Sequence, residues 1–117
     1  MYYPDITVGL GQMQVIWGDA TGNLERAAAM VKQAAQAGCT VLVLPECLDF
    51  GYAFPEVREL AQPIGAQVYQ QLSEITRTHA IHVVAGFTER HGGRIYNAAA
   101  LFNPQGELLL LHRKINE

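Results

Sequence analysis

The sequence predicts an α/β domain with the element order β-α-β-α-β-β-β. Three observations carry that prediction. Val41 to Leu44 (VLVL) is a run of β-formers without a polar break, the pattern of a strand buried on both faces. Two stretches, one on each side of it, repeat apolar residues at helical spacing. The last third holds three apolar runs separated by two turn signals, which closes the domain with antiparallel strands.

The elements follow in order. Ile6 to Met13 alternates, with Ile6, Val8 and Leu10 on one side and Thr7, Gly9 and Gly11 on the other. That reads as a strand whose small-residue face lets a neighbour pack closely. Trp17, in the connection that follows, is expected to be buried over the core edge. Asp19 or Thr21 can cap the first helix, whose inner stripe is Leu24, Ala27, Ala28, Val31, Ala35 and Gly38; Gly38 is also a stop signal. The VLVL strand comes next, then a mixed connection over 53–63 with one helical turn at Pro55 to Leu60. The second long helix runs from about Gly65 to His79, with Val68, Leu72, Ile75 and His79 inward. His82 to Thr88 is the third strand, His91-Gly-Gly-Arg94 a turn, and Ile95 to Phe102 the fourth strand. Asn103-Pro-Gln-Gly106 is the second turn, and Glu107 to His112 the fifth strand.

The layers do not close. Strands two, four and five are apolar on both sides, yet two helices cover only one face of a five-stranded sheet. A further covering layer is expected, and the four leucines from Leu108 to Leu111 are expected to form much of the uncovered face.

Composition bounds the function. The 117 residues suit one domain, taken here as 1–117; 50% are apolar and 16% charged, as in soluble globular proteins. A net charge of −3 gives no basic footprint, so no nucleic-acid partner is expected. The first residues show no signal peptide, and no apolar run reaches the ~20 residues of a membrane helix. A cytoplasmic protein with no membrane contact is expected. On an extended strand Cys39 and Cys47 stand roughly 25 Å apart at 3.3 Å per residue, too far for a disulfide. His79, His82, His91 and His112 show no metal-ligand spacing, and no metal or other cofactor is implied.

Glu46 is the first candidate for chemistry. Pro45 ends the strand ladder, and Glu46 lies just past the carboxyl end, where open α/β sheets bind their ligands. Gly51 and Tyr52 follow as a turn and an aromatic wall, so Tyr52 is either a pocket residue or a structural one. Lys114 closes strand five; by itself it reads as a solvated lysine. Asn97, inside an apolar strand, must find hydrogen-bond partners, and a structural bond is the plain expectation.

Together these motifs say more. LPECLDFGY at Leu44 to Tyr52, then IYNAAALFNPQGELLLLHRK at Ile95 to Lys114, resembles the nitrilase superfamily of carbon–nitrogen hydrolases. The resemblance runs from the GLGQMQ strand to Lys114 and implies that the chain forms the N-terminal half of an α-β-β-α sandwich. It implies a Glu-Lys-Cys triad in which Glu46 is the general base and Lys114 the cation beside the developing oxyanion. A partly buried glutamate has the raised pKa that such a base needs. The substrate would be a small amide, nitrile or carbamoyl compound, attacked by a thiolate to give a thioester. The family's cysteine falls after the lysine, beyond Glu117, and neither Cys39 nor Cys47 matches it. The expectation is therefore a chain that supplies Glu46 and Lys114, is inactive alone, and is completed by a C-terminal half or another copy. Glu117 is not assigned the role of the family's auxiliary glutamate.

Two rival readings remain. Gly9-Leu-Gly11 begins a dinucleotide fingerprint, but Gln14 stands where a third glycine belongs and no helix starts there. The other is a non-catalytic binding or assembly module of the same fold.

Overall fold

The computed structural model describes residues 3–52 and 55–115, and it gathers five strands into one sheet in their sequence order. β1 (Val8–Leu10), β2 (Val41–Val43) and β3 (His82–His91) run parallel. β4 (Arg94–Phe102) and β5 (Leu108–Arg113) extend the sheet as an antiparallel meander. α1 (Ala20–Gln36) joins β1 to β2. The single-turn α2 (Val57–Leu60) and then α3 (Gln67–His79) join β2 to β3. Successive right-handed crossovers in one direction place their helices on the same face, and α1 and α3 are in contact. The sheet is open, with one helical layer, as in half of a four-layer α-β-β-α sandwich.

The core lies between that layer and the sheet. Leu24, Ala27, Val31 and Ala34 of α1 and Val68 and Leu72 of α3 meet Leu42, Val83, Ala85, Phe87, Ala98, Ala100 and Phe102. Tyr69 tilts its ring against Phe102 with centroids 5.4 Å apart. Asp19 caps α1, its Oδ1 accepting the Gly22 N–H at 3.1 Å, and Gly38 ends the connection at φ +81°. In α3, Thr76 takes the buried place expected of His79. Its hydroxyl donates to the Leu72 carbonyl at 2.8 Å, which satisfies a polar group inside the helix.

β1 is shorter than its alternating stretch but faces as expected. Gly11 is buried, and a Cβ there would stand 2.8 Å from Leu44 Cδ2. Val8 and Leu10 lie on the other face and are exposed. β3 runs past Thr88 to His91, leaving Gly92-Gly93 as a two-residue hairpin turn with both φ positive.

Two further expectations fail. The four leucines of β5 do not share a face. Leu101 pairs with Leu110 and Phe102 with Leu108, so Leu109 is an inserted bulge residue. Leu108 and Leu111 turn to the core, while Leu109 and Leu110 are exposed. Trp17 is 60% exposed rather than buried; its ring edge packs against Gly51, where a Cβ would come within 2.3 Å of Trp17 Cδ1. The parts of the sequence reading that involve Ala53, Phe54 and Glu117 lie outside the described residues.

Candidate functional site

The site forms where the loop after β2 crosses β3 on the face away from the helices. Leu44 still bonds to β3, its N–H donating to the Val84 carbonyl at 2.8 Å. Pro45 then ends the pairing and the chain steps over Gly86. The Gly86 N–H donates to the Pro45 carbonyl at 3.2 Å, and the Leu48 N–H donates to the Gly86 carbonyl at 3.0 Å. A Cβ on Gly86 would lie 2.4 Å from the Glu46 Cα, so this crossing requires glycine at position 86. Cys47 adopts φ +49° and turns the chain back toward the core.

Glu46, Asn97 and Lys114 converge on the open face. Asn97 Nδ2 donates to Glu46 Oε2 at 2.9 Å, and Lys114 Nζ stands 3.8 Å from the same oxygen. The Lys114 N–H donates to the Asn97 carbonyl at 2.9 Å, so Asn97 holds one residue through its side chain and the other through its backbone. A cavity of about 300 Å³ opens here, walled by Val43, Val84, His112 and the three polar residues. Side-chain exposures of 56% for Glu46 and 41% for Lys114 correct the expectation of a partly buried glutamate. Among the described residues no second layer lies over this face. An ion pair this exposed adds only ~0–1 kcal/mol to stability, so stability does not explain the convergence.

Tyr52 is not in this cluster. It is 66% exposed and borders a second cavity of about 260 Å³ with Cys47, Val57, Ile95 and Tyr96. Asn97 lines both cavities. Cys47 is buried on the Tyr52 side, whereas Glu46 lines the other cavity. No disulfide joins Cys39 and Cys47. Among the described residues no group of three or more histidine, cysteine or acidic side chains could hold a metal ion.

Polar groups that the sequence did not single out hold the site loop. Asp49 is fully buried; its Oδ2 accepts the Thr88 N–H at 2.9 Å and its Oδ1 accepts the Phe50 N–H at 2.9 Å. Burial pushes its carboxyl above the ordinary aspartate range, partly offset by those hydrogen bonds. Buried Asn23 donates to the Asp49 carbonyl at 2.8 Å and ties the loop to α1. Glu89, 1% exposed, receives a fork from Arg113 at 2.7 and 2.8 Å, and the guanidinium lies 5.1 Å from the Tyr96 ring centroid. Hydrogen bonding to Glu89 holds the Arg113 guanidinium above its ordinary range, against its partial desolvation. In the sequence, the Asp of LDFG and the Glu of FTER carry no motif or spacing that sets them apart.

The sequence model of the carbon–nitrogen hydrolases matches residues 7–116, and the chain belongs to that family, the nitrilase superfamily. Among curated relatives, omega-amidase NIT2 of Danio rerio is 42% identical over 95 residues, which cover 80% of this chain and 34% of that protein. Omega-amidase NIT2 of Mus musculus is 36% identical over the same shares. The chain thus spans about a third of the length of these relatives. Among solved structures, an amidase from Nesterenkonia sp. superposes with a TM-score of 0.84 at 23% identity, covering 93% of this chain and 42% of that one. An N-terminal amidase gives 0.78 at 18%, covering 93% and 28%. At these identities the likeness is one of fold.

Proposed function

We propose that this chain contributes the general base and the oxyanion-facing cation of a hydrolase acting on non-peptide carbon–nitrogen bonds. The observation that carries the reading is the approach of Lys114 Nζ and Asn97 Nδ2 to one oxygen of Glu46 beside an open cavity. The Glu46 carboxylate takes the proton of a thiol, and the thiolate attacks the substrate carbon. For an amide, negative charge then grows on the carbonyl oxygen within reach of the Lys114 ammonium. Glu46 returns the proton to the leaving nitrogen, ammonia or an amine departs, and a thioester remains. Water, giving its proton to Glu46, cleaves the thioester and frees the thiol.

The nucleophile is neither cysteine of these 117 residues: Cys47 lines the wrong cavity and Cys39 lies beside Gly9. In this reading the thiol comes from chain outside these residues, on a layer that also covers the open face; a second copy of the chain is the other source of cover. The curated relatives' designation as omega-amidases favours a small amide over a nitrile. A non-catalytic module is the alternative, favoured by the lack of a thiol facing the Glu46 cavity.

The test is ammonia release from small amides by the complete gene product. Glu46→Gln and Lys114→Ala are each expected to lower kcat by about a thousandfold or more, and residues 1–117 alone are expected to show no turnover. Full activity in Glu46→Gln, or no ammonia release from amides, nitriles or carbamoyl compounds by the intact protein, would overturn the enzymatic reading.

A further inference from the structure

We propose that the Glu89–Arg113 pair is the positioning device for Lys114. This rests on the role proposed above for Lys114. Arg113 and Lys114 are consecutive at the end of β5, so their side chains leave opposite faces of the sheet. Arg113 lies on the helix side, where both carboxylate oxygens of Glu89 accept its fork and Tyr96 flanks the guanidinium. Lys114 emerges on the open side, 3.8 Å from Glu46.

The location gives the pair its purpose. Lys114 is one residue past the last residue of β5, and Ile115 beyond it is 87% exposed. A strand end with so few contacts frays unless something pins it. The backbone rung at Lys114 is its N–H bond to Asn97, and the Arg113 fork is the side-chain anchor directly before it. A planar guanidinium held at two points fixes direction as well as distance, which a lysine at 113 would not do. Stability alone is a poor reason for an ion pair with a buried carboxylate, since apolar residues of similar size serve as well or better. Glu89 also sits at a crossing of supports: it pairs with Tyr96 in the sheet and bridges to Gln62.

The experiment uses the complete gene product with ¹³C,¹⁵N-labelled lysine. Lys32, exposed on α1, is the internal reference for a freely solvated ammonium. In Glu89→Gln, which keeps the shape and removes the charge, the Lys114 ε-methylene signal is expected to move toward that of Lys32, whose own signal stays fixed. With a small amide, kcat is expected to fall about 10- to 100-fold while KM changes less than about threefold, as for a misplaced rather than a missing group. Arg113→Lys keeps the positive charge and loses the fork, and is expected to reproduce both effects should Glu89→Gln fold poorly. Val31→Ala, which loosens α1 at a distance, is expected to lower Tm and leave the Lys114 signal and kcat alone. A folded Glu89→Gln or Arg113→Lys protein with an unmoved Lys114 signal and wild-type kcat would overturn the proposal. Wild-type activity in Lys114→Ala would instead overturn the function proposed for the lysine, with the spectroscopic result still deciding whether the pair positions it.

Discussion

The two faces of this sheet are built from the same five strands, and they differ in almost everything else. On the helix side, Leu42, Val83, Ala85, Phe87, Ala100 and Phe102 are sealed under α1 and α3. On the other side, Leu10 and Leu110 stand 77% and 66% exposed, and the polar cluster of Glu46, Asn97 and Lys114 sits among half-buried valines and alanines. Because side chains alternate along a strand, one residue step moves a position from one regime to the other. Stability is concentrated on the first face, and the chemistry proposed for the chain on the second.

The largest effect that would break this contrast comes from truncating matched positions. Phe102→Ala removes a fully buried ring and is expected to lower unfolding free energy by about 3–5 kcal/mol. Leu110→Ala, on the open face, is expected to shift the same chain by no more than about 0.5 kcal/mol. Urea titrations of the two variants side by side check this; comparable losses would mean that the open face is covered in solution.

Gly86→Ala tests where the faces are joined. A methyl there collides with the backbone of Glu46, so the loop must shift. We expect a loss of about 1–3 kcal/mol by overpacking, with the Asn97–Glu46 hydrogen bond broken. Thermal melts measure the first effect. The Asn97 side-chain amide signals report the second, and a variant that keeps those signals unchanged would show that the crossing tolerates a side chain.

The smallest effect concerns Asp49, which fastens the site loop from the covered side. Asp49→Asn replaces one accepting oxygen with an amide donor and is expected to cost roughly 1 kcal/mol near neutral pH. The sign of its pH dependence follows from burial. The folded protein raises the Asp49 pKa, so stability held by the protonated form is complete below the unfolded value and declines as pH rises through the folded one. The Asp49→Asn variant has no titrating group at this position and lacks that slope. The Tm gap between wild type and variant should therefore be widest in acid and narrow toward neutrality; a gap that widens with pH would show that the hydrogen bonds from Thr88 and Phe50 outweigh desolvation.

Local pattern made much of this fold readable. The VLVL run, the two helical stripes, the Gly92-Gly93 turn and the Asn103 turn each depend on residues close in sequence. The uncovered face of the sheet was also readable, because it follows from counting apolar faces against helices. What escaped were contacts between distant residues. Asp49 meets Thr88 across 39 positions, Glu89 meets Arg113 across 24, and Gly86 is defined by a loop about 40 residues earlier. None of these leaves a periodic trace. The leucine run misled for a related reason, since a single inserted residue resets the alternation from which facing is inferred. Glu46 and Lys114 became candidates through strand ends and family resemblance, while the contact of Asn97 with Glu46 spans 51 positions and leaves no local trace.

The bulge at Leu109 has one more consequence, for how copies of this chain can meet. β1 and β5 are the outer strands of the sheet, and each offers backbone groups that could template a neighbouring chain. β1 is only three residues long. β5 is interrupted at Leu109, ends in Arg113 and is followed directly by Lys114. Short, twisted or charged margins are poor partners for strand addition, the route to ribbons and fibrils. Growth by adding strands at either margin is thereby disfavoured.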